Sequence, residues 1–193
     1  CDWSSDVCSS DLPEGNLLRA WGGPGQGYEW PDSNHGITMD PQGNIWIGGN
    51  GGPDSHILKF TQDGKFLAQY GKKGVRQSGT DAKGAAQFKG GSNDDSNFGR
   101  VAKLGIDAKT NELWLADGYL NKRVAVLDAA TGKMKRYWGA YGNKPDDTDL
   151  GPYNPKAPLV QQFRNPVHCA ELSNDGLVYV CDRQNDQIGR AHV

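Results

Sequence analysis

Two histidines stand at matched positions of a repeated unit. His35 opens His35-Gly-Ile-Thr-Met-Asp-Pro-Gln-Gly-Asn-Ile-Trp-Ile47, and His168 opens His168-Cys-Ala-Glu-Leu-Ser-Asn-Asp-Gly-Leu-Val-Tyr-Val180. Between them the unit recurs as Ala102-Lys-Leu-Gly-Ile-Asp-Ala-Lys-Thr-Asn-Glu-Leu-Trp-Leu115, with alanine where the histidines stand. Neutral imidazoles are zinc ligands, and three of them with an open fourth position form a catalytic zinc site. His35 and His168 therefore read as two metal ligands. The alternative is a pair of channel histidines that bond only water or backbone. Tyr119 lies in Ala116-Asp-Gly-Tyr-Leu-Asn-Lys-Arg-Val124, and Arg183 in Cys181-Asp-Arg-Gln-Asn185. Each follows the second β-rich run of its unit. A tyrosine beside a metal accepts a proton once its pKa is lowered. An arginine holds a carboxylate or a developing oxyanion. The competing readings are an aromatic packed on the next repeat for Tyr119 and an ion pair with Asp182 or Asp117 for Arg183. Asp117 and Asp182 recur at one place and read as structural ties for loop backbone.

The elements that must position these residues are read from the repeats. Gly15-Asn-Leu-Leu-Arg-Ala-Trp21-Gly22, Gly64-Lys-Phe-Leu-Ala-Gln-Tyr70-Gly71 and Gly132-Lys-Met-Lys-Arg-Tyr-Trp138-Gly139 share one spacing, a turn glycine, a short strand and a closing aromatic-glycine pair. The histidine-bearing units are two β-rich runs around a polar turn, a hairpin pattern. His56-Ile-Leu-Lys-Phe60 and Arg123-Val-Ala-Val-Leu127 read as third strands. Four antiparallel strands per repeat make a propeller blade. The expected fold is all-β, about half of a β-propeller. It holds the last strand of one blade, two complete blades and the first two strands of a fourth. The start of each first strand and the end of each second strand fall on one face, so the histidines, Tyr119 and Arg183 are expected together. The loops Lys72–Asn97 and Asn143–Gln162 lead into first strands and overhang that face, as surface loops or as binding loops.

Other residues read more plainly. Trp46, Trp114 and Tyr179 share one hairpin position and are expected to pack between blades. His56 is expected at the surface. Cys169 and Cys181 fall across one hairpin and read first as two packed thiols, with a cross-strand disulfide as the alternative. Gly22-Gly-Pro-Gly-Gln-Gly27 lacks the strand and helix that a phosphate loop needs.

The ends are a different kind of sequence. Codons chosen for Ile188-Gly-Arg-Ala-His-Val193 have a reverse complement that encodes Asp-Val-Cys-Ser-Ser-Asp, which is Asp6–Asp11. One short DNA word in two orientations flanks the chain, as a translated sequencing adapter would. Residues 1–12 and 187–193 are thus expected to be non-native, and 13–186 to be the propeller fragment. Of the 193 residues, Asp2, Asp6, Asp11 and Arg190 fall in these ends, so the net charge of −2 becomes zero without them. No basic excess points to nucleic acid. No apolar run approaches the roughly 20 residues of a membrane span.

The repeats resemble the NHL family, and within it the peptidyl-α-hydroxyglycine α-amidating lyases and their bacterial relatives. Asn34-His-Gly-Ile-Thr-Met-Asp40 is similar to the Pro-His-Gly-Leu segment that gives that family a zinc ligand, with Asn34 in place of proline. Asp117-Gly-Tyr-Leu-Asn121 is similar to the segment of its active-site tyrosine. Val167-His-Cys-Ala170 with Cys181-Asp-Arg-Gln-Asn185 is similar to the segments of a second zinc histidine and an active-site arginine, with Val167 intervening after Pro166. The resemblance implies a six-bladed ring, zinc on His35 and His168, and Tyr119 and Arg183 at the reaction centre. It also implies a third histidine and a structural calcium beyond this segment. A small-molecule or peptide substrate and a secreted or periplasmic location complete what it implies. A non-enzymatic binding propeller is the alternative, since fold does not fix function.

Overall fold

The computed structural model describes residues 7–11, 13–75 and 91–192, with side chains described over 13–75 and 91–189. Residues 76–90 of the first long loop, and residues 1–6, 12 and 193 of the ends, lie outside the described residues. The strands in chain order are β1 Val7–Asp11, β2 Leu17–Gly22, β3 Asn34–Met39, β4 Ile45–Gly49, β5 His56–Phe60, β6 Phe66–Gly71 and β7 Val101–Asp107. They continue as β8 Glu112–Asp117, β9 Arg123–Asp128, β10 Met134–Trp138, β11 Val167–Leu172, β12 Leu177–Asp182 and β13 Gln187–His192. All pairings are antiparallel between sequence neighbours. The sheets β3–β6 and β7–β10 are complete four-stranded blades, flanked by the pair β1–β2 and the triplet β11–β13. The fold is all-β, part of a β-propeller. Among the described residues no helix is long and apolar enough to cross a membrane.

The turns that close the hairpins are local chemistry. In Asp40-Pro-Gln-Gly43, Asp40 Oδ1 accepts the Gln42 and Asn44 N–H groups at 3.0 and 2.8 Å, and Gly43 takes φ +82°, which favours glycine. The middle strands carry no alternation of buried and exposed residues. β4 and β8 are buried along their whole length. A blade is covered on both faces by its neighbours, so both sets of side chains meet apolar surface. The core accordingly lies between sheets. Trp46, Ile57, Leu104, Leu113 and Leu115 join the blade β3–β6 to β7–β10. Trp114, Ala116, Val124, Val167 and Val180 join β7–β10 to the next. Trp46 and Trp114 are fully buried at the interblade position expected for them, and Tyr179 is half-buried.

Three expectations need correction. The last sheet has a third strand, supplied by the stretch read as non-native: β13 pairs with β12 from Leu177↔His192 to Asp182↔Gln187. β13 covers the edge that β12 would otherwise leave open, and an open edge templates whatever chain follows it. His56 is buried, at 1% exposure, because β5 is a middle strand with both faces covered. Cys169 and Cys181 form a disulfide rather than two thiols. They face each other directly across β11 and β12 with Cα atoms 4.9 Å apart, within bridging range.

The second long loop, Asn143–Gln162, is a mostly exposed strap with buried anchors. The Asp147 carboxylate accepts the Ser92 N–H at 2.7 Å and the Ser92 hydroxyl. Lys122 Nζ donates to the Thr148 carbonyl at 2.7 Å. The strap is thereby fixed to the turn that follows Tyr119.

Candidate functional site

Each first strand begins with the same irregularity. Asn34 pairs with Gly49 and Gly36 with Gly48, so His35 is one residue too many in β3. Val101 and Lys103 pair with Asp117 and Ala116, leaving Ala102 extra in β7. Val167 and Cys169 pair with Asp182 and Cys181, leaving His168 extra in β11. A β-bulge leaves its extra residue out of the ladder, bends the strand and re-aims the side chain. The histidines thus point out of the pleat, and the matched sequence positions are matched bulges.

The aim converges. Tyr119, in the turn after β8, places its Oη 3.0 Å from His35 Nε2 and 3.1 Å from His168 Nε2. The two imidazole centroids are 5.4 Å apart with their planes at 87°. Three sheets supply these three side chains. Arg183, which follows β12, sets its guanidinium carbon 5.8 Å from the Tyr119 ring centroid. It does not pair with Asp182 or Asp117. Asp117 is bonded instead by Arg123 Nε at 2.8 Å and Asn121 Nδ2 at 2.7 Å. Asp182 accepts from the Arg164 backbone at 3.2 Å and from Asn185 Nδ2 at 2.5 Å. The structure therefore brings His35, His168, Tyr119 and Arg183 to one place on one face, with His35 and Arg183 exposed and His168 and Tyr119 half-buried.

Proton placement follows from the bonds. His35 Nδ1 lies 2.6 Å from the Ala102 carbonyl, which can only accept, so Nδ1 carries the hydrogen. In the neutral ring Nε2 then offers a lone pair toward Tyr119. The phenol has one hydrogen to give, so with His35 as its acceptor it receives one from His168 Nε2. Desolvation lowers the pKa of His168, and the nearby Arg183 and Lys103 charges and the His35 ring push the same way. Both influences favour the neutral ring. Two imidazoles are donors that zinc accepts. Among the described residues no group of three His, Cys, Asp or Glu side chains is placed to hold a metal ion.

Sequence reasoning missed the backbone half of the site. Tyr119 N–H donates to the Arg100 carbonyl at 3.2 Å, and Arg100 is a non-glycine residue at φ +60°. The segment 100–102 therefore holds Tyr119 through one carbonyl and His35 through another. No side-chain signature announces such a role. A cleft of about 580 Å³ lined by Trp138, Tyr141, Leu159, Phe163 and Ile188 lies elsewhere, between the outer strands of adjacent sheets. None of the four converging residues lines it.

Residues 31–51, which carry His35, match a family described as "Two component regulator propeller". The chain is 26% identical over 159 residues to peptidyl-glycine alpha-amidating monooxygenase B of Xenopus laevis, covering 82% of this chain and 15% of that protein. It is 25% identical over 159 residues to monooxygenase A of the same organism, covering 82% and 14%. The chain thus spans about one seventh of the length of these relatives. Among solved structures, a protein of unknown function from Bacteroides caccae aligns over 94% of this chain and 65% of its own at TM-score 0.41 and 17% identity. A functionally unknown protein from Desulfotomaculum acetoxidans aligns over 96% and 64% at TM-score 0.38 and 12% identity.

Proposed function

We propose that the protein carrying this segment is a zinc-dependent C–N lyase that cleaves a carbinolamide bearing a carboxylate, releasing an amide and glyoxylate. The observation that carries the reading is the meeting of His35 and His168 Nε2 on one phenol oxygen, at 3.0 and 3.1 Å, from three different sheets. The weak likeness to peptidyl-glycine amidating enzymes across 82% of the chain supports it. In this reading His35 and His168 hold the metal, and a third ligand lies outside the described residues. Zinc, when bound, would acidify the substrate hydroxyl and polarise its oxygen. Tyr119 takes the hydroxyl proton. As the carbonyl forms, the C–N bond breaks and its electron pair leaves with nitrogen, which takes up a proton to give the amide. Arg183 pairs with the substrate carboxylate and keeps the scissile carbon against the tyrosine. The Cys169–Cys181 disulfide supports a secreted or periplasmic setting, where such bonds persist.

The test is His35→Ala, His168→Ala and the double variant in the intact protein, read by zinc content and by amide release. Each single variant is expected to lose zinc and turnover together. Full activity in the double variant would sink the proposal. A second reading, a non-enzymatic ligand-binding propeller, is favoured by the regulator-propeller match over residues 31–51. It predicts substoichiometric zinc and a His35→Ala protein that still binds its ligand.

A further inference from the structure

We infer that the bulge of one blade is the orienting acceptor for the histidine of the blade before it, with Ala102 and Gly36 as the positioning residues of the site. Three observations lead there. Ala102 occupies the bulge of β7, so its peptide stands outside the ladder. Its carbonyl takes the His35 Nδ1 hydrogen at 2.6 Å. Gly36, the residue after His35, lies directly against this bulge. A Cβ at Gly36 would come 3.3 Å from the Ala102 oxygen, 3.2 Å from Lys103 Cα and 2.6 Å from Leu104 Cδ1. Leu104 fills the space that Gly36 and Gly48 leave open, since a Cβ at Gly48 would meet the same methyl at 3.1 Å.

The chain of cause is then short. Missing side chains at Gly36 and Gly48 let β3 and β7 approach. The approach brings a free carbonyl to His35 Nδ1. That bond fixes the tautomer and leaves Nε2 bare toward Tyr119 and the metal position. Partners of this kind on the far nitrogen of a ligating histidine raise its basicity and set its ring orientation. The alanine in the middle repeat is therefore no gap in the histidine pattern, because it serves the site through its backbone. His168 has no such acceptor on Nδ1 among the described residues, so the two histidines differ in tautomer although they share a register position.

The inference rests on the zinc reading only for its second readout, and the first needs no metal. Histidine ring 15N spectra of the metal-free chain, taken in solution or on sedimented solid, report which nitrogen carries hydrogen. The expected result is His35 protonated at Nδ1 in the unaltered chain and in Gly105→Ala. Gly105 is a control because a Cβ there would meet only the Ala170 oxygen, at 3.9 Å. Gly36→Ala is expected to lose that preference. In the second readout, Co²⁺ titration followed by visible absorption, Gly36→Ala is expected to bind roughly 10–100-fold more weakly than Gly105→Ala. His35 protonated at Nε2 in the unaltered chain would overturn the inference, and that measurement does not depend on any variant folding. An unchanged tautomer in folded Gly36→Ala would overturn it as well. If Co²⁺ fails to bind while His35 keeps its Nδ1 hydrogen, the zinc reading falls and the positioning role stands.

Discussion

His56 donates from Nε2 to the Glu29 carbonyl at 2.5 Å, and its Nδ1 is buried without a partner. Desolvation lowers its pKa, opposed by the Glu29 bond and by the negative charges of Asp54 and Glu29, while Lys73 adds to the lowering. The folded state therefore binds this proton less readily than the unfolded chain does, whose ordinary value is 6.5. Stability from this group is fully present above that value and is lost as pH falls through it toward the folded value. Thermal melts at about pH 7.5 and about pH 5.5 should show a drop that is smaller in His56→Gln, and equal drops would refute the assignment. At this scale the sequence was uneven. That His35, His168, Tyr119 and Arg183 come together was legible, because each lies at the start of a first strand or just after a second one. His56 had no match and was read as surface. What buried it is a middle strand enclosed on both faces, which leaves no alternation to read.

Each first strand is tied to the end of its hairpin by a buried carboxylate. Asp117 accepts the Gly99 N–H at 2.6 Å, just before β7, and Asp182 accepts the Arg164 N–H at 3.2 Å, just before β11. Before β3 the same service comes from Asp54, which takes Asp32 and Ser33 N–H at 2.9 and 3.2 Å. Gly49 holds the register position of Asp117 and Asp182, and a side chain there would collide with the Asp54 carboxylate. The carboxylate is conserved in space while its residue has moved along the chain. The recurrence of Asp117 and Asp182 was therefore readable as structural, and Asp54 was not, since its spacing differs. The tie also sets the site, because Tyr119 leaves β8 immediately after Asp117. Asp117 and Arg123 are both fully buried and bonded to each other. Removing the carboxylate strands a buried guanidinium, so Asp117→Ala should cost about 3–5 kcal/mol in denaturant unfolding. A loss below about 1 kcal/mol would show that water replaces the partner.

Over the whole molecule, burial is lopsided in a way the register explains. Leu104 and Ala170 are buried at 2% and 5%, each against the sheet that precedes it. Ile37 holds the same position in β3 and is 58% exposed, with Met39 at 51%. That face is built to be covered by inner strands of a preceding blade, and none lies on it among the described residues. Exposed apolar faces and open strand edges drive association. Sedimentation should show species larger than a monomer, shifting toward monomer in Ile37→Lys/Met39→Lys, and a monodisperse monomer without those changes would contradict this. The blade order and hairpins were legible from repeat spacing. The third strand of the last sheet was not, because pairing at an open edge asks little of the sequence that supplies it.

The bulge at the head of every first strand has an evolutionary meaning. It is a property of backbone register, present with histidine in two sheets and alanine in the third. The socket is inherited with the repeat, and only its occupant is chosen by a codon. A lineage built on such a ring gains or loses an inward-aimed ligand by a single substitution, with no refolding and no new loop. Related rings can therefore share a scaffold in which catalysis, metal storage and simple recognition lie a few point mutations apart.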